Sequence, residues 1–123
     1  MTRKVLLITE DLNLKQFVEI SAMTLTKLNC QVELISSYNY NDCIRISGDS
    51  NLDLILLDLE LRNFHSQNFI NDIRTSEKSK NKKIIAFAEI IDNKEKDKIF
   101  KSGCDSIMTK EELKSALNNL LQY

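Results

Sequence analysis

Four side chains, far apart in the sequence, carry the chemistry this chain can do: the adjacent acids Glu10 and Asp11, then Asp58, then Lys110. Carboxylates brought together repel one another unless a cation sits among them. Oxygen ligands of this kind suit Mg2+, which takes one or two carboxylates and keeps several waters. A lysine ammonium would supply the remaining positive charge. Asp58 poses the sharpest question, because it closes the apolar run Leu54 to Leu57, and the run is bracketed by Asp53, Asp58 and Glu60. A short apolar run with polar ends reads as a strand buried on both faces. A carboxylate at the end of such a strand is costly unless it reaches water, pairs with a cation or binds metal. Each acid also has a plainer reading, since Asp11 can cap the first helix and Asp58 its own loop. Taken singly the two readings stand level. Taken with Lys110, the site reading prevails.

These residues need elements to bring them together. "KVLLIT" reads as a first strand, and Leu14, Phe17, Val18, Ser21, Leu25 and Leu28 recur on one helical face after it. "QVELISS" is a second strand, "YNDCIRIS" a short helix, and "LDLILLD" the central strand. Phe69, Ile70 and Ile73 predict a helix from about Gln67 to Ser76, and "KKIIAFA" a fourth strand. "NKEKDKIFKSG" reads as an exposed helix stopped by Gly103, a residue suited to the left-handed C-terminal position. "SIMT" is a short fifth strand. A last helix places Leu113, Ala116, Leu117, Leu120 and Leu121 at i, i+3, i+4, i+7 and i+8. Five β-α units argue for a parallel sheet between two helical layers. In such a sheet the binding crevice lies outside the carboxyl ends of the strands. Glu10 and Asp11 after strand one, Asp58 ending strand three and Lys110 ending strand five are therefore expected on one edge.

The 123 residues suit one domain, expected over 1–123, and 42% hydrophobic with 28% charged residues is ordinary for a globular chain. A formal net charge of −1 provides no basic field for nucleic acid or acidic membrane. No apolar stretch is long enough to span a bilayer, and "MTRKVLLITED" lacks a small-residue cleavage site. Cys30, Cys43 and Cys104 are odd in number and widely spaced, which indicates neither a disulfide framework nor a zinc knuckle. A cytoplasmic location is the expectation.

Along its whole length the chain resembles the receiver domain of bacterial two-component response regulators. "ITED" resembles the acidic pair that closes the family's first strand, "LDLILLDLEL" its phosphoacceptor strand, and "SGCDSIMTK" the segment ending in its lysine. The resemblance implies a flavodoxin-like (βα)5 sandwich of three layers, with a five-stranded parallel sheet in the order 2-1-3-4-5. It implies that Asp58 accepts a phosphoryl group from a histidine kinase or phosphotransfer protein. Mg2+ would be held by Glu10, Asp11, Asp58 and the backbone carbonyl of Glu60, and Lys110 would bind the phosphoryl group. It also implies slow self-hydrolysis of the phosphoaspartate rather than enzyme turnover. Output would run through the face of helix four, strand five and helix five, toward a partner protein or a second copy in a homodimer, with no direct contact to nucleic acid or membrane.

The departures from the family pattern are as informative. Ala88 stands where the family has Thr or Ser, so no hydroxyl is available there to meet a phosphoryl oxygen. Glu89 follows at the pocket rim, where a small residue is usual. Ile107 replaces the switch aromatic, Arg62 a proline, Ser66 a glycine, and Glu111 the proline after the lysine, where a trans bond is therefore expected. Three functions are compatible with these residues: a phosphorylatable receiver, a pseudo-receiver that binds a partner whatever the state of Asp58, and a flavodoxin-like cofactor binder. The third is weakest, because "TEDLN" is acidic where a cofactor phosphate would sit. His65 reads as an exposed loop residue, Phe64, Phe69 and Phe100 as packing residues, and "SEKSKNKK" as a solvated helix end and loop.

Overall fold

The computed structural model describes residues 2–122. Ten elements alternate: β1 (Arg3–Ile8), α1 (Leu12–Lys27), β2 (Val32–Ser36), α2 (Tyr40–Ser47), β3 (Leu54–Asp58), α3 (Ser66–Thr75), β4 (Lys83–Ala88), α4 (Asn93–Ser102), β5 (Ser106–Thr109) and α5 (Lys110–Leu120). The strands are parallel in the order β2-β1-β3-β4-β5. Crossover helices cover both faces, so the central strands are apolar on each side. β3 is buried at all five residues. Its period of two divides them: Ile55 and Leu57 pack with Cys43, Phe69, Ile70, Ile73 and Ile99 of α2, α3 and α4. Leu54 and Leu56 pack on the other face with Leu14, Val18, Ala22 and Leu25 of α1 and with Leu113 and Leu117 of α5.

The expected elements form, with α3 beginning at Ser66 and ending at Thr75. Three packing expectations are corrected. The buried stripe of α1 runs through Leu14, Val18, Ala22 and Leu25. Phe17 and Leu28 lie beside it and are exposed, and Lys114 Nζ sits 5.5 Å from the centre of the Phe17 ring. Phe100 is likewise exposed at 41%. Phe64 and Phe69 do pack, joined by Tyr40 at ring-centroid distances of 5.0 to 5.7 Å. The basic run after α3 is not simply solvated. Ser79 is buried and its hydroxyl donates to the Ile73 carbonyl, while Lys82 Nζ donates to the carbonyls of Asp49 and Leu52, each at 2.8 Å. That ammonium ties the β4 entry to the β3 entry, at the end of the sheet opposite Asp58.

Gly103 closes α4 with φ of 115°. A Cβ there would come within 2.7 Å of Arg74 Cγ. Both the left-handed backbone and the packing of Arg74 therefore require glycine. Arg74 uses the space to donate to the Gly103 carbonyl and to pair with Asp105 at 2.9 Å, which ties α3 to the start of β5.

Candidate functional site

The site lies where β1, β3 and β4 end together. Ile8 is level with Leu57, and Asp58 with Phe87. This register puts the residues after Ile8 and Ala88 on either side of Asp58. The Asp58 side chain is held from two directions: Thr9 Oγ1 donates to Oδ2 at 2.6 Å, and the Glu60 amide donates to Oδ1 at 2.9 Å. Thr9 in turn accepts the Asp11 N–H at 3.1 Å, so its one proton is directed at Asp58. Thr9 and Asp58 are each only 3% exposed.

Asp11 caps the first helix, as its plainer reading held, and also meets Lys110. Its Oδ1 caps α1 by accepting from the amides of Asn13 and Leu14, and its Oδ2 accepts from Lys110 Nζ at 3.1 Å. Lys110 is the first residue of α5, whose start is set by a capping box between Thr109 and Glu112. Its ammonium, nearly buried, faces three carboxylates, with Asp11 at 3.1 Å, Glu60 Oε1 at 3.4 Å and Asp58 Oδ2 at 4.0 Å. A cation is unfavourable in the first turn of a helix, and here the surrounding carboxylates offset that cost. The bond between Lys110 and Glu111 is trans, as no cis peptide occurs among the described residues.

The electrostatics follow from these contacts. Burial raises the Asp58 pKa above the usual carboxylate range, against the pull of Thr9, the Glu60 amide and Lys110. The Leu14 amide, with Lys110, holds the Asp11 carboxyl below it. Burial disfavours the Lys110 ammonium, but the Asp11 bond and the Asp58 charge outweigh that and raise its pKa.

Asp11, Asp58 and Lys110 thus come together as expected. Glu10 stands apart from Lys110, and its Oε1 accepts the Arg62 amide at 3.1 Å, bracing the loop after β3. Glu60 enters with its side chain as well as its backbone: the same Oε1 that faces Lys110 accepts the Glu89 amide at 2.9 Å. Ala88 is buried, and Ile107, level with Ala86 on β4, packs against the core. His65 is more than an exposed loop residue, since its Nδ1 caps α3 by accepting the Asn68 amide at 3.4 Å. Sequence reasoning missed Thr9. The signal was present as a hydroxyl residue closing the otherwise apolar "VLLI", directly before the acidic pair.

Among the described residues no three acidic, histidine or cysteine side chains are grouped to hold a metal ion by themselves. Mg2+ does not require that, since one or two carboxylates with carbonyl and water oxygens suffice. The all-oxygen donors around Asp58 fit it in kind.

No family model and no curated protein sequence matches the chain. Solved structures do. The phosphorylated cyanobacterial phytochrome response regulator RcpA is 14% identical with a TM-score of 0.81, covering 98% of this chain and 91% of its own. The Mn2+-bound response regulator Rcp1 is 16% identical with a TM-score of 0.78, covering 96% and 91%. The receiver domain of the sensor histidine kinase PA1611 from Pseudomonas aeruginosa, with a magnesium ion in its active-site cleft, is 16% identical with a TM-score of 0.75, covering 98% of each chain. With its 2-1-3-4-5 sheet, its five crossover helices and superposition over nearly its full length, this chain has the fold of the response regulator receiver domains.

Proposed function

We propose that the chain is a phosphoacceptor of two-component signalling, modified on Asp58. The observation that supports this most is the placement of one buried strand-end carboxylate between a hydroxyl donor, Thr9, and an ammonium, Lys110. Thr9 and the Glu60 amide orient the carboxylate. An Asp58 oxygen attacks the phosphorus of a phosphohistidine on a kinase or phosphotransfer protein, the P–N bond breaks, and the histidine leaves. Lys110 offsets the charge gathered on the phosphoryl oxygens. Glu10, Asp11, Asp58 and the Glu60 carbonyl would hold Mg2+, which would supply neutralisation of those oxygens when bound. Water later attacks the acyl phosphate, returns Asp58 and releases inorganic phosphate. This is slow self-hydrolysis, and the chain does not turn over a substrate as an enzyme does.

A second reading has its own support. Ala88 has no hydroxyl to follow a phosphoryl group, and Ile107 is not an aromatic ring that could fill vacated space. On that reading the chain is a pseudo-receiver whose face of α4, β5 and α5 binds an output partner whatever the state of Asp58. Acetyl phosphate with Mg2+, followed by intact mass of wild type and Asp58→Asn, separates the two. One added phosphoryl group on the wild type and none on the variant supports the phosphoacceptor. An unmodified wild type, under conditions that label an ordinary receiver, leaves the pseudo-receiver.

A further inference from the structure

We propose that the Glu60 carboxylate is a built-in occupant of the anion subsite beside Asp58, which an incoming phosphoryl group must displace. The inference rests on the phosphoacceptor reading and deepens it. Lys110 Nζ stands 4.0 Å from Asp58 Oδ2, and the backbone amide of Glu89 comes directly after β4, which runs level with Asp58 at Phe87. Glu60 Oε1 already holds both, with the Glu89 N–H donating at 2.9 Å and Lys110 Nζ at 3.4 Å. The same ammonium stands 4.0 Å from Asp58 Oδ2, so the Glu60 carboxylate and Asp58 share one cation. A carboxylate oxygen held by one ammonium and one backbone amide has the partners that a phosphoryl oxygen seeks.

The occupant is suited to leave. Glu60 is the second residue after a rigid buried strand, yet its side chain is 44% exposed and can turn into solvent. Its backbone amide meanwhile keeps hold of Asp58 Oδ1. Departure frees Lys110 and the Glu89 amide together, so the device is a gate in which one anion is exchanged for another. While the gate is shut, Glu60 also joins the loop after β3 to the loop after β4. The chain thereby holds a link that a phosphoryl group would otherwise create.

The test uses beryllofluoride as the probe, with saturating Mg2+, on the full chain as wild type, Glu60→Gln, Glu60→Ala and the charge control Glu111→Gln. Bound probe is read by fluorine NMR. Glu60→Ala should reach half-saturation at roughly fivefold lower probe than wild type, the size expected for an exposed ion pair with a hydrogen bond. Glu60→Gln should fall between, because the amide oxygen still accepts from Glu89 but has no charge for Lys110. In the absence of probe, the Glu89 amide resonance should move in Glu60→Ala.

Equal affinities in all four proteins, or an unmoved Glu89 amide, would overturn the gate while leaving the phosphoacceptor reading in place. A gain in Glu111→Gln as large as in Glu60→Ala would also overturn it, by reducing the effect to net charge. Failure of every protein to take up the probe would overturn both.

Discussion

Thr9 Oγ1 and Asp58 Oδ2 lie 2.6 Å apart, both on residues almost without solvent exposure. The residue just after β1 thus provides a hydroxyl contact that β4, ending in Ala88, cannot. A hydrogen bond to a charged group is worth about 1.5–3 kcal/mol, and a buried acceptor stripped of its donor loses that amount or more. Thr9→Val should therefore destabilise the fold by roughly 2 kcal/mol in urea denaturation at neutral pH, whereas Thr9→Ser should restore most of it. A Thr9→Val protein as stable as wild type would show that the bond is not held in solution.

Asp58 and Asp11 should act oppositely on stability as pH changes. Burial raises the Asp58 pKa, so between its unfolded and folded values the native state binds more protons than the unfolded one, and stability falls as pH rises through that window. Asp58→Asn, which removes the charge and keeps the shape, should raise the melting temperature at pH 7, by an amount that shrinks toward acid. The Asp11 pKa is lowered, so its contribution is complete above the unfolded value and is lost as pH falls through the folded one. Asp11→Ala should cost about 1 kcal/mol at pH 7 as a lost helix cap, and less in acid. Thermal melts from neutral to acidic pH check both signs.

Lys110 carries more of the site than any single acid. Its removal leaves Asp11, Asp58 and Glu60 facing one another with no cation between them. Breaking a fully buried pair costs about 3–5 kcal/mol; with Asp11 and Glu60 partly exposed, Lys110→Ala should cost on the order of 2 kcal/mol. The loss should be smaller in Lys110→Ala combined with Asp58→Asn than the two single effects summed, because the repulsion is relieved. Additive values in a double-mutant cycle would mean the groups are not coupled.

Signalling should stay local if Asp58 is modified. Shifting a two-state protein from 1:99 to 99:1 takes about 5.5 kcal/mol of differential affinity, and neither Ala88 nor Ile107 offers a group that gains contacts with the phosphoryl. Beryllofluoride should move backbone resonances in the loops after β1, β3 and β4, with little change from residue 93 to 121. Shifts spreading through α4, β5 and α5, or dimerisation induced by the probe, would return the chain to the behaviour of a switching receiver.

Much of the architecture was legible in the residues, because burial on both faces of a parallel sheet imposes apolar runs such as "LILL", and their alternation with helical periodicity leaves few other arrangements. The ends of those runs named Asp11, Asp58 and Lys110 for the same reason: a charge at the edge of an apolar strand has to be placed against something. Strand order was not read from periodicity and came with the family resemblance, since a run of apolar residues does not say which strand lies beside it. Only the tertiary structure decided the partners. Thr9 reads as an ordinary strand residue until β1 is set against β3 in register, and Glu60 reads as a loop acid until β4 ends beside it and presents the Glu89 amide. α1 is apolar on more than one side, so periodicity alone took Phe17 and Leu28 for core; packing against β1, β3 and α5 selected the stripe from Leu14 to Leu25 and left them outside. Helical repeats describe one element at a time, whereas the contacts that join the strand ends at the site link residues 29 to 99 positions apart, which only the folded sheet brings within bonding distance.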